Sequence, residues 1–141
     1  MRVLVSACLI GYNCKYNGSN NLNSKVKELL EGHEVVMVCP EMLGGLSCPR
    51  NPCERWKDKI IDKDGIDCTK QFIKGADLAL NIAKEKNIDL AILQKRSPSC
   101  GVSVIYDGTF TGKLISGSGV FAQMLTSLKI PILEAESEKN V

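Results

Sequence analysis

Seven cysteines are spread along a chain of 141 residues, and thiols are the side chains here best equipped for chemistry. A thiolate is a nucleophile and a soft metal ligand, whereas a neutral thiol packs as a small apolar group. The seven are Cys8, Cys14, Cys39, Cys48, Cys53, Cys68 and Cys100. Their number is odd, and nothing of secretory-signal length precedes the first. That pattern is expected of a reducing compartment, where cysteines are more often catalytic or metal-binding than paired, so a cytoplasmic location is expected.

Local readings of these thiols fail in turn. Val5-Ser6-Ala7-Cys8 has the form of a lipid-attachment box, but only Val3, Leu4 and Val5 precede it, against the ~7–15 apolar residues such a signal needs. A phosphatase loop would need an Arg six positions after Cys8, where Cys14 stands, followed by Lys15. No Cys-x-x-Cys pair supports a zinc ribbon. Cys100, in Ser97-Pro98-Ser99-Cys100-Gly101, has the setting of a turn thiolate but no histidine as its base. The one histidine, His33, ends a predicted helix on the other side of the sheet. Asp62-Lys63-Asp64-Gly65-Ile66-Asp67 evokes a calcium loop, yet Ile60 and Gln71 occupy the first and last ligand positions.

The totals narrow the class. A net charge of +2, with three Phe, three Tyr and one Trp, predicts neither a nucleic-acid surface nor a base-stacking platform. No apolar run approaches the ~18 residues of a membrane span. One domain over 1–141 is expected, as a monomer or weak homo-oligomer, with the tail at about 135–141 frayed.

The elements that must position the thiols follow from periodicity. Residues 2–7, 34–39, 88–94 and 131–135 are short apolar runs that read as buried strands. Between them, 24–31, 69–86 and about 118–128 carry apolar residues at helical spacing, with Asn23 or Ser24 and Thr69 as caps. Residues 40–57 read as a long loop. Hairpins are predicted around Asp64-Gly65 and Asp107-Gly108. Apolar strands alternating with amphipathic helices predict an α/β fold. It is a small doubly wound, Rossmann-like or flavodoxin-like sheet of about four parallel strands in order 2-1-3-4. Helices cover both faces and β-hairpins are added.

Ligands bind such sheets at the carboxyl ends of the strands. Cys8 follows the first strand, Cys39 ends the second, and Cys100 lies in the turn after the third. The fold therefore predicts that three thiols distant in sequence meet at one edge, as a metal or cluster site. An iron–sulfur cluster accepts scattered thiolates, and three on a cubane leave one iron open as a Lewis acid. Cys14, Cys48, Cys53 and Cys68 read better as small buried or surface groups. Glu41, two residues past Cys39, is a candidate for proton transfer if burial raises its pKa. Ser97 and Ser99, which bracket Pro98 beside Cys100, are further candidates for proton transfer. Arg50 and Glu54 read as a loop-holding ion pair or as substrate contacts. Gly117-Ser118-Gly119 opens the last helix and can either hold an anion or form a plain helix-start turn.

The segments SACLIGYNCKYNG, VCPEMLGGLSCPRNPCE, KRSPSCG and IYDGTFTGKLISGSGVFA, in this order, resemble the thiouracil desulfurase family over about residues 3–134. The resemblance implies a 4Fe–4S cluster on Cys8, Cys39 and Cys100 whose open iron takes the sulfur of a thiolated pyrimidine. It places Glu41 and Ser97 at positions for proton transfer and substrate contact. The implied reaction is 2-thiouracil or 4-thiouracil plus water giving uracil and hydrogen sulfide, without net redox change. Cys48 and Cys53 add thiols near that site and are alternative ligands. A non-catalytic iron–sulfur or zinc module that carries sulfur for a partner is the competing expectation.

Overall fold

The computed structural model of the chain describes residues 1–136. Of the tail expected to fray, 137–141 lie outside the described residues.

Strands β1 (Arg2–Ser6), β2 (Glu34–Val38), β5 (Leu90–Gln94) and β8 (Ile132–Ala135) form one parallel sheet in the order β2-β1-β5-β8. This is the predicted order, since the four apolar runs are those four strands. Side chains alternate across the sheet. Leu4 of β1 packs with α3 (Thr69–Glu85) and α4 (Val120–Ser127). Val3 and Val5 pack on the other face with Leu9 and with Val26 and Leu30 of α1 (Ser24–Leu30). Leu4, Val5, Phe72, Phe121 and Leu125 are fully buried, each contributing about 1.5–3 kcal/mol by removal from water. Asn23 caps α1 by accepting from the Val26 N–H at 3.1 Å. Among the described residues no helix is long and apolar enough to cross a membrane.

The segment expected to be a long loop contains two elements. A single helical turn, α2 (Pro40–Leu43), follows β2 directly, with Pro40 at its start, where a missing N–H costs nothing. β3 (Cys53–Trp56) then pairs antiparallel with β4 (Lys59–Asp62). That hairpin turns at Lys57-Asp58, with Lys57 at φ 57, and not at Asp64-Gly65. The Asp64-Gly65 turn exists but returns the chain to a single bridge, Ile61 to Asp67. The other predicted hairpin is present as β6 (Val104–Tyr106) and β7 (Leu114–Ser116), joined by a longer loop over 107–113.

Two glycines set α2 against α3. A Cβ on Gly75 would stand 1.7 Å from the Pro40 carbonyl oxygen, and one on Gly44 would stand 1.9 Å from that of Gln71. Both are below any real contact, so the two backbones touch only because neither residue has a side chain.

Candidate active site

The carboxyl ends of β1, β2 and β5 open into one cavity of about 570 Å³. After Ser6 the chain winds into a 3-10 turn, Ala7–Ile10, which Gly11 ends at φ 99. This reversal holds Cys8 at the edge, where its carbonyl accepts from the Asn21 N–H at 2.9 Å and its sulfur lies 3.5 Å from Asn21 Nδ2. Cys39 sits between β2 and α2. Cys100 lies in a turn folded around one hydroxyl, with Ser97 Oγ accepting from the N–H groups of Ser99 at 3.0 Å and Cys100 at 2.9 Å. All three thiols line the cavity.

A fourth thiol joins them. Cys14 is buried, lines the same cavity and hydrogen-bonds to both Cys39 and Cys8. Those two bonds push its own pKa up, so Cys14 keeps its proton. They act oppositely on its neighbours. The Cys14 thiol is the largest influence drawing Cys39 down to about 7, helped by the Met42 N–H and by the Arg50 charge, against burial. It also draws Cys8 below the ordinary thiol value, with Asn21 assisting. Burial pushes Cys100 up, opposed by a hydrogen bond from Ser6. Sequence reading set Cys14 aside. The signal it carried was its spacing of six residues from Cys8, closed into a loop by Gly11.

Glu41 belongs to the first turn of α2 and faces Arg50. Arg50 Nη2 and Nε stand 3.1 and 3.3 Å from the same oxygen, Glu41 Oε1. Nη2 also donates to the Cys14 carbonyl at 3.0 Å, and Nη1 to that of Ser47 at 3.2 Å. Among the described residues Oε2 has no hydrogen bond. Burial raises the Glu41 pKa against the pull of Arg50, as expected from its place beside the thiols. Arg50 therefore pairs with Glu41, not with Glu54. Glu54 lies on β3 and turns its carboxylate to the 107–113 loop, where Oε1 accepts from the Gly108 and Phe110 N–H groups at 3.0 and 3.1 Å.

Other candidates fall outside the cavity wall. Ser99 is 1% exposed, is not among the lining residues, and its Oγ has no partner among the described residues. Gly117, Ser118 and Gly119 do not line the cavity either. The N–H groups of Gly119, Val120 and Ala122 already donate to the carbonyls of Gly101, Pro98 and Ser99, so these three are not free for an anion. A Cβ on Gly119 would lie 2.4 Å from the Ser99 carbonyl carbon, and the Ser118 carbonyl accepts from Arg55. The Gly-Ser-Gly stretch thus clamps the Cys100 turn onto α4.

The remaining thiols divide. Cys48 Sγ contacts the carbonyls of Asn13 at 3.0 Å and Lys15 at 3.3 Å, tying the Pro-rich loop to the two neighbours of Cys14. Cys53 lines the cavity and hydrogen-bonds to Cys68 behind it. His33 lies at the opposite end of the sheet, 3.2 Å from the terminal amine. Tyr106, Phe110, Gln94 and Asn21 also line the cavity and were not singled out from sequence, since isolated aromatic and amide residues carry no spacing signal.

The donor set is soft: Cys8, Cys14, Cys39 and Cys100 all line the cavity, and thiolates suit an iron–sulfur cluster or zinc. Among the described residues no trio of His, Cys, Asp or Glu is arranged to hold one metal ion. A cubane presents a separate iron at each corner, so its thiolates spread more widely than four ligands around zinc.

Known proteins resemble this chain over nearly its whole length. The family model for 2-thiouracil desulfurase matches residues 3–137. The uncharacterized protein YbbK of Bacillus subtilis (strain 168) is 42% identical over 148 residues, covering 98% of this chain and 97% of its own. Among solved structures, the 4Fe–4S-dependent thiouracil desulfidase TudS superposes with a TM-score of 0.88 at 34% identity, covering 94% of this chain and 89% of that one.

Proposed function

The chain belongs to the 2-thiouracil desulfurase family and is an enzyme, and we propose that it removes sulfur from thiolated pyrimidines using a 4Fe–4S cluster held by Cys8, Cys39 and Cys100. The observation that carries this reading is the meeting of those three thiols, Glu41 and Arg50 in one cavity at the carboxyl edge of the sheet. Its volume is within the ~300–1,000 Å³ range of small-molecule sites.

When bound, a cluster on three thiolates supplies one iron without a protein ligand, a Lewis acid for the substrate sulfur. The chain's own groups do the rest. The exchange replaces sulfur by the oxygen of one water, releases hydrogen sulfide and moves no electrons. Arg50 fixes Glu41 through Oε1, so Oε2 is the atom that takes a proton from the attacking water and returns one to the departing sulfur. Burial that raises the Glu41 pKa favours a carboxyl that can both take a proton and return one. Ser97 fixes the Cys100 turn through its oxygen and presents its hydroxyl to the cavity.

Anaerobic reconstitution with iron and sulfide, followed by sulfide-release assays on 2-thiouracil and 4-thiouracil, tests the reading. The expected result is about four irons per chain and turnover of at least one substrate. Loaded protein that releases no sulfide, or a Cys8→Ala variant that keeps a full cluster, would overturn it.

A further inference from the structure

The 107–113 loop is built in a way that hairpin geometry does not require. Phe110 adopts φ 57, a left-handed conformation that a bulky side chain avoids. Strain of this kind persists only where the surroundings enforce it, and it gathers at functional sites. Here the enforcing group is Glu54. Its carboxylate is nearly buried and has one oxygen, Oε1, accepting from both Gly108 and Phe110. The loop is also pressed onto β3, because a Cβ on Gly108 would stand 2.7 Å from the Arg55 carbonyl oxygen and 2.8 Å from the Trp56 ring. Asp107 completes the fold of the loop by accepting from the Thr109 N–H at 2.9 Å.

What this arrangement delivers is an aromatic residue at the cavity. Phe110 lines it, beside Tyr106. The thiols that share the wall offer a flat heterocycle no plane to lie against, and the aromatic rings of the wall are Phe110, Tyr106 and Tyr16. A planar ring gains from an aromatic face in a way that an acyclic thioamide does not.

We propose that Phe110 is a substrate-contacting residue that covers one face of the heteroaromatic thione, and that Glu54 is the positioning residue that holds it there. This assignment rests on the function proposed above. It gives the site its preference for a flat ring over other carbon–sulfur double bonds, and it gives Glu54, which also lines the cavity, a supporting role through Oε1.

Kinetics of the cluster-loaded protein test it. Phe110→Gly is the informative variant, because glycine takes the left-handed conformation freely and the loop keeps its shape. KM for 2-thiouracil should rise by about tenfold, as expected for loss of one aromatic stacking contact. The value of kcat should stay within about twofold, and Phe110→Tyr should restore KM. Glu54→Ala should raise KM similarly, and adding Phe110→Gly to it should cost nothing further. In wild-type protein, saturation-transfer NMR should show contact between Phe110 ring protons and bound uracil. An unchanged KM in Phe110→Gly, absent ring contact in that NMR measurement, or an equal loss for acyclic thiourea would overturn the assignment. Wild-type protein that loads its cluster yet releases no sulfide would instead overturn the function on which it rests.

Discussion

Gly75 of α3 meets Pro40 of α2 backbone to backbone, at a separation that leaves no room for a methyl group. Pro40 lies between Cys39 and Glu41, so this contact positions a candidate ligand and the candidate proton carrier together.

Gly75→Ala is therefore expected to cost stability and activity at once. A methyl group there must push α2 away from α3, and overpacking of this kind costs about 1–3 kcal/mol or more. Urea denaturation should show a lowered midpoint. Sulfide release from whatever folded protein remains should fall, because Cys39 and Glu41 move with α2. Gly32→Ala is the contrasting control, since a Cβ there meets nothing within 4 Å and only its positive φ is disfavoured.

Glu41→Gln separates chemistry from cluster binding. The amide keeps the shape and an oxygen for Arg50 but carries no transferable proton. Turnover is expected to fall by about 10²–10⁴-fold, the usual worth of a general acid or base, while iron and acid-labile sulfide per chain stay at wild-type values. Loss of iron in this variant would place Glu41 in the binding of the cluster.

Cys14→Ala tests the division of labour among the thiols. The Cys14 thiol bonds to Cys8 and Cys39, between two proposed ligands, and its proton marks it as a donor to them. Iron content after reconstitution should survive Cys14→Ala and Cys68→Ala, and should be lost in Cys39→Ala. Cluster loss in Cys14→Ala alone would make Cys14 the ligand.

Asp62 gives a pH dependence of stability outside the cavity. Its Oδ1 accepts from the Asp64 and Ile66 N–H groups at 2.9 and 3.0 Å, and its Oδ2 from Asn51 at 3.2 Å. The bond from Ile66 leads in holding its pKa below the ordinary carboxyl value. The folded chain thus releases this proton more readily than the unfolded one. The stability gained is complete above the unfolded-state pKa, about 3.9, and is lost as pH falls through the lower folded value. Thermal melts of Asp62→Asn below about pH 5 should fall less steeply with acid than those of the wild type.

The main sheet was legible because its strands are short, mostly apolar runs, interrupted within β8 only by Glu134, and the strand order then followed from handed crossovers. The smaller hairpins were harder to read. β3, Cys-Glu-Arg-Trp, is half polar and turns at Lys57-Asp58 without a glycine, so the more glycine-like Asp64-Gly65 drew the hairpin to the wrong place. β7 is three exposed residues and has no burial pattern to read. In the candidate site, Cys8, Cys39, Cys100 and Glu41 were expected together because strand ends place them, and all four line the cavity. Cys14 was not, since only the reversal at Gly11 carries it back. Arg50 and Glu54 looked like partners from their spacing, but a strand sends Glu54 to the 107–113 loop, and the preceding loop brings Arg50 to Glu41.

The three strand-end thiols lie 31 and 61 residues apart in the chain. A cluster held by all three ties these distant segments into closed loops, as a pair of disulfides would, and loops of such length remove considerable freedom from the unfolded chain. Loading would then act as a molecular staple over the first hundred residues, and a chain stripped of iron would be both inactive and easier to unfold or digest.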